Sequence, residues 1–159
     1  MDKTVICLVG ISGAGKTTWA NNYINTSQET ILLLSGDMII KELFGDSIIQ
    51  GSRKQVFNYM FDKYVIALKD TFTDTIILDF TSVTWELRKR YLELAQLIVP
   101  MFNHYLRYRL VVYPPNLIKS LYQNSNRDRV VPEEIIHDQC CRFEYPTFYE
   151  LEHCIVEFI

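Results

Sequence analysis

Glycine and proline are sparse, with six and five in 159 residues, which excludes collagen-like repeats and low-complexity linkers. Histidine is rarer still: His104, His137 and His153 are scattered, match no zinc-ligand spacing and are read as structural. The four cysteines, Cys7, Cys140, Cys141 and Cys154, contain no C-x-x-C pair. Adjacent Cys140 and Cys141 are poorly placed to bridge one another, so free thiols are expected. Long apolar runs are missing too. Val5–Val9 and Ile31–Leu34 fall far short of the roughly 18 to 20 residues that span a bilayer. Asp2 and Lys3 stand before the first strand-like run, with neither a basic leader nor a cleavage site, so a cytoplasmic protein with no membrane partner is expected. There is no excess of positive charge. A net charge of −3 and an isoelectric point near 5.6 exclude holding long nucleic acid mainly by neutralising phosphates; any such contact must be local.

What is present is a globular balance, 48% hydrophobic and 22% charged with a mean hydropathy of +0.01. The length suits one domain over residues 1–159, and no repeat or linker interrupts it. Apolar, β-branched runs at Thr4–Val9, Thr30–Leu34, Thr75–Leu78, Tyr108–Tyr113 and His153–Ile159 read as strands. Between them lie helical patterns: one from Thr17, then Met38–Phe44 and Lys54–Leu68 parted by Gly45 and Gly51, Trp85–Ile98 ended by Pro100, Asn116–Gln123, and Glu133–Phe143 opened by Pro132. This alternation predicts a three-layer α/β fold with a mostly parallel five-stranded sheet. Arg88-Lys89-Arg90 reads as a solvated helix face, and the many tyrosines and phenylalanines mostly as core.

Directly after the first predicted strand and directly before a predicted helix stands Gly10-Ile11-Ser12-Gly13-Ala14-Gly15-Lys16-Thr17, a full match to G-x-x-x-x-G-K-[ST]. Glycines let such a loop turn its N–H groups inward around phosphates, and the helix N-terminus adds positive potential. Lys16 then reaches the outer phosphates and the Thr17 hydroxyl can ligate magnesium. The segment therefore predicts nucleoside triphosphate binding and a P-loop NTPase fold. Two subclasses lack their parts. A guanine-nucleotide switch would need a glycine in Asp79-Phe80-Thr81-Ser82 and an Asn-Lys-x-Asp motif, and neither occurs; Leu34-Ser35-Gly36 stands too near the loop to be a transporter signature.

Ligands of a parallel α/β sheet gather beyond the carboxyl ends of its strands. Asp37 follows the second predicted strand and Asp79 the third. An acid there can take a proton from an acceptor hydroxyl, and one beside the loop can hold magnesium or its waters. The plainer alternatives are an N-cap for Asp37 and a helix-start or turn acid for Asp79. The polar segment Asn124–Arg129 puts Arg127 and Arg129 between two helices, as in a lid that neutralises charge on a transferred phosphate and excludes water. The alternative is a solvated turn.

These residues together resemble the small P-loop kinases typified by the kinase domain of phage polynucleotide 5′-hydroxyl kinase, a group that shades into zeta-toxin-like and antibiotic-modifying kinases. The resemblance runs nearly end to end, through Gly10–Trp19, Ser35-Gly36-Asp37, Ile76–Thr81 with Arg88–Ala95, and Asn124–Arg127 leading to Val131-Pro132. It implies ATP and Mg2+ as cofactors. Gly10, Ser12, Gly13, Ala14, Gly15, Lys16, Thr17 and Thr18 would hold the nucleotide, with Arg127 and Arg129 from a helical lid. Lys16, Asp37 as general base and Arg127 would be catalytic, and Thr17 with Asp79 would serve the metal. The implied activity is transfer of the γ-phosphate of ATP to a hydroxyl acceptor. First comes the 5′-hydroxyl of a polynucleotide end or a nucleotide-like molecule; the alternatives are a small-molecule kinase acting on a nucleoside, nucleotide, sugar or antibiotic hydroxyl, and a nucleotide-binding regulator without transfer. One departure matters. Where phage polynucleotide kinases carry an acceptor-gripping arginine, this sequence has Ile40, with Lys41 one residue further. The chain also lacks the phosphatase domain such kinases often carry, so the resemblance implies a kinase alone.

Overall fold

The computed structural model describes residues 2–45, 52–127 and 130–159. Gly51, expected to mark a helix break, and Arg129, expected in the lid, lie outside the described residues.

The most apolar segment of the chain becomes the centre of the sheet. Strand β1 (Asp2–Val9) is buried on both faces from Lys3 onward, as a strand flanked by helices on either side must be. It pairs in parallel with β3 (Thr75–Asp79) on one side and β4 (Tyr105–Val112) on the other. β2 (Ile31–Ser35) and β5 (Ile155–Phe158) complete the sheet at its edges, in the order β2-β3-β1-β4-β5, all parallel. The order reverses direction at β1, and this opens a crevice beyond the carboxyl ends of the strands. Helix α1 (Lys16–Thr26) covers one face with Ala20 against Ile6, Leu8 and Ile77. On the other face lie α2 (Gly36–Phe44), α3 (Ser52–Lys69) and α4 (Trp85–Met101), whose Ile39, Met60, Tyr64 and Leu92 meet Val5, Cys7 and Val9. This is the three-layer α/β P-loop fold that the strand and helix alternation predicts. Two helices, α5 (Leu117–Ser125) and α6 (Glu133–Cys141), stand by the crevice. The four cysteines are free, and among the described residues no helix is long and apolar enough to cross a membrane.

Several boundaries differ from the sequence expectation. Pro100 does not end α4 at Ile98; it sits inside the last turn of a helix that runs to Met101. A proline there removes only one late hydrogen bond. The chain turns instead at Asn103, which holds a positive φ of 58°, a conformation asparagine tolerates. β4 starts three residues before the expected Tyr108, and the last strand is shorter than expected because Phe148–His153 forms a helix, α7. Its signal was present as Thr147-x-x-Glu150, a capping box in which each side chain serves the other's backbone N–H.

The largest correction concerns Arg88. Lys89 and Arg90 lie on the solvated face as expected, but Arg88 is only 1% exposed. Its guanidinium donates to both carboxylate oxygens of Glu150 at 2.6 and 3.1 Å, and to the carbonyls of Ser82, Glu144 and Tyr145. Five donors meet five acceptors, which is what a buried charge requires. The partner lies 62 residues away in the unforeseen α7, so local charge patterning could not reveal it. This pair ties the segment around 144–150 to the start of α4. Glu150→Ala is therefore expected to lower the unfolding free energy in urea by about 3–5 kcal/mol, because it strands a buried guanidinium. Arg88→Met combined with Glu150→Ala should cost less than the two single changes together; strict additivity would mean that the two residues stabilise the fold independently.

Candidate functional site

The loop between β1 and α1 owes its shape to two glycines with positive φ, Gly13 at 81° and Gly15 at 100°, a region that L side chains rarely adopt. At Gly13 there is a second constraint, since a Cβ would run into the Ser120 carbonyl of α5. Ile11 is fully buried against Val83 and Ile136 and anchors the loop. The Ser12 N–H donates to Gln139 Oε1 of α6 at 2.8 Å. Gly15 caps α1 without a side-chain hydrogen bond, so no side chain of its own competes for the first-turn N–H groups that make a helix N-terminus attractive to phosphate.

Lys16 opens α1 and folds back over the loop, donating to the carbonyls of Gly10 and Ile11 at 2.8 Å each. Burial lowers its pKa from 10.5 to about 8, with Arg127 pushing the same way and Asp79 and Asp37 opposing. Thr17 Oγ1 donates to Asp79 Oδ2 at 2.7 Å. Asp79 is the last residue of β3, in register with Ser35 of β2, and is 5% exposed. It is a strand residue, not the helix-start or turn acid of the alternative reading. Burial raises its pKa, and the Thr17 hydroxyl and Lys16 draw it down. The pair offers only oxygen donors, a hard set that fits a magnesium ion completed by phosphate and water. Among the described residues, no group of three or more histidine, cysteine or acidic side chains forms a self-sufficient metal cage.

Asp37 lies in the first turn of α2 behind Ser35, which holds the N-cap position. The capping alternative does not describe it: its carboxylate takes a hydrogen bond and ion pair from Arg127 at 3.0 Å, across 90 residues of sequence. Arg127 follows α5 in the connection to α6. The base of that connection is closed by Asn124, whose side chain donates to Val131 O at 2.8 Å and accepts from Val131 N at 3.0 Å.

These groups meet in one cavity of about 540 Å³. Ser12 through Thr18, Asp37, Asp79 and Arg127 all line it; Gly10 does not, although its carbonyl holds Lys16. Ile40, Phe80 and Thr81 form the wall beside Asp37, and Lys41 is exposed and does not contribute. Sequence reasoning passed over Gln139, Ser120 and the cavity-lining Tyr122 and Gln123. None carries a motif. Only the i, i+3 spacing of Ile136 and Gln139 hinted that α6 turns a mixed face toward the loop.

No curated protein matches the chain in sequence. Solved structures of similar fold do. A chain of the Pnkp1/Rnl/Hen1 RNA repair complex aligns at 21% identity with a TM-score of 0.66, covering 89% of this chain and 44% of that one. The present chain thus spans less than half the length of that relative. Kti12 from Chaetomium thermophilum, in complex with ADP-AlF3, aligns at 15% identity and a TM-score of 0.66, covering 98% and 88%. A gluconokinase from Sinorhizobium meliloti 1021 aligns at 13% identity and a TM-score of 0.59, covering 98% and 82%. At these identities the likeness is one of fold. A family model described as AAA domain (AAA_33) matches residues 5–146, and with a glycine-rich loop, lysine and threonine seated at the crevice of a parallel sheet, the chain belongs to that family.

Proposed function

We propose that this chain is an ATP-dependent phosphotransferase that moves the γ-phosphate to a hydroxyl acceptor, the first candidate being the 5′-hydroxyl of a polynucleotide end or a nucleotide-like molecule. The observation that carries the reading is that one cavity gathers Lys16, the Thr17–Asp79 pair and Asp37, with Arg127 paired to Asp37. Phosphoryl transfer asks little covalent chemistry of a protein; positioning and charge do most of it. The loop N–H groups and Lys16 hold the triphosphate. Thr17 and Asp79 would hold Mg2+, which when bound shields the phosphate oxygens. Asp37 orients the acceptor hydroxyl and takes its proton. Arg127 turns from Asp37 to the transferred group, and the α5–α6 connection acts as its lid.

One observation favours a second reading, a small neutral acceptor such as a nucleoside or sugar: Ile40 and Phe80 line the cavity beside Asp37, where a charged acceptor would call for a cation. Incubation with labelled ATP and a panel of 5′-hydroxyl oligonucleotides, nucleosides and sugars tests both readings. An oligonucleotide acceptor should lose affinity steeply as salt rises, whereas a neutral one should hardly respond. Absence of label from every acceptor would defeat the proposal.

Asp37→Asn is expected to lower kcat by about 10²- to 10⁴-fold with ATP affinity retained; unchanged turnover would remove Asp37 from the role of base. The pH dependence follows from Lys16. In the folded protein its pKa is about 8 against 10.5 unperturbed, so between these values the native state binds fewer protons than the unfolded chain, and this group makes the fold more stable as pH rises. Triphosphate binding needs the protonated lysine, so ATP affinity should run the other way, weakening by up to about tenfold per pH unit above that pKa. Calorimetric titration of ATP across roughly pH 7 to 10, a range that brackets the folded-state value, checks this. Lys16→Arg, which stays charged, should flatten the dependence.

A further inference from the structure

Helix α6 touches the phosphate loop twice from one face. Ile136 is fully buried and packs against Ile11. Three residues on, Gln139 accepts the Ser12 N–H at 2.8 Å, reaching across 127 residues of sequence. The other end of α6 is joined to the lid. Pro132 holds its N-cap position, and the preceding Val131 is gripped on both its N–H and C=O by the buried Asn124 of α5. α5 touches the same loop through the Ser120 carbonyl at Gly13. The segment that carries Arg127 is thus strung between two helices, each seated on the loop. Helix α6, tied to the loop at Gln139 and to α5 through Val131, is the rigid element that carries a displacement from one end to the other.

We propose that Gln139 is a positioning residue that couples the phosphate loop to the Arg127 lid, so that the fit of the loop to a triphosphate and the placement of the arginine are set together. This rests on the nucleotide-binding reading above. Gln139 need not touch substrate. Its amide oxygen is the acceptor for a main-chain N–H of the loop, and without it that N–H in a mostly buried setting is left without this partner, which lets the turn reorient. Ile136 alone supplies contact area without direction.

A double-mutant cycle read as ATP affinity by calorimetry tests the coupling and needs no acceptor. Gln139→Met, of nearly the same shape, is expected to weaken ATP binding about tenfold. In an Arg127→Ala background the same change should weaken it only about twofold, because the two residues act through one element. Gln139→Glu retains an acceptor oxygen, so its melting temperature without nucleotide should stay closer to wild type than that of Gln139→Met, while its added charge repels ATP. Ile136→Val, which thins the packing but leaves the hydrogen bond, should lower the melting temperature with ATP affinity little changed. Equal losses for Gln139→Met in both backgrounds, or no loss in either, would overturn the proposal, as would an Ile136→Val variant that matched Gln139→Met in affinity. A wild-type chain that binds ATP but phosphorylates no acceptor defeats the transfer reading while leaving this cycle readable.

Discussion

The molecule depends on one backbone constraint: a loop of six residues between β1 and α1 must turn back over the Lys16 ammonium and hold that shape. Left-handed conformations at Gly13 and Gly15 make the turn possible. Neighbours make it permanent. Ile11 is sunk into an apolar cluster with Val83 and Ile136, α5 lies so close to Gly13 that no side chain would fit, and Gln139 takes up the Ser12 N–H. A loop free in solution would lose this order to backbone entropy. Here the layers of the fold carry that cost, and the cavity beyond the strand ends is the result.

Charge in that cavity is arranged in opposed pairs. Lys16 is buried and folded onto loop carbonyls, with a pKa brought down to about 8. Asp79 is buried, with its pKa raised, and is held by Thr17. Asp37 and Arg127 face each other at 3.0 Å on the more open side. Burial works against both Lys16 and Asp79 in their charged forms, and their mutual attraction works for them. The outer pair is better solvated and correspondingly easier to separate. A polyanion entering between these groups would meet the two cations, and an alcohol would meet Asp37.

The fold was largely legible because its signals are local. Burial of β1 on both faces shows as a continuous apolar run, and strand–helix alternation implies parallel strands. The errors came where partners are distant. Arg88 lay in a basic triplet that looked solvated, but its five hydrogen bonds end on residues up to 62 positions away. α7 was missed because six residues give too short a period to detect, although its capping box was written in Thr147 and Glu150. Pro100 misled because the rule against proline weakens in a final turn.

By itself the sequence determined the phosphate loop, the two acids at strand ends and the order of the elements, since each follows from residue type and spacing along a short stretch of chain. Only the tertiary structure decided which of these meet. It brought Arg127 to Asp37 over 90 residues, set Asp79 against Thr17, lined the cavity with Ile40 while leaving Lys41 outside, and placed Gln139 on the loop. Such contacts arise from the way helices dock on the sheet through nondirectional apolar packing, and spacing along the chain holds no record of that docking.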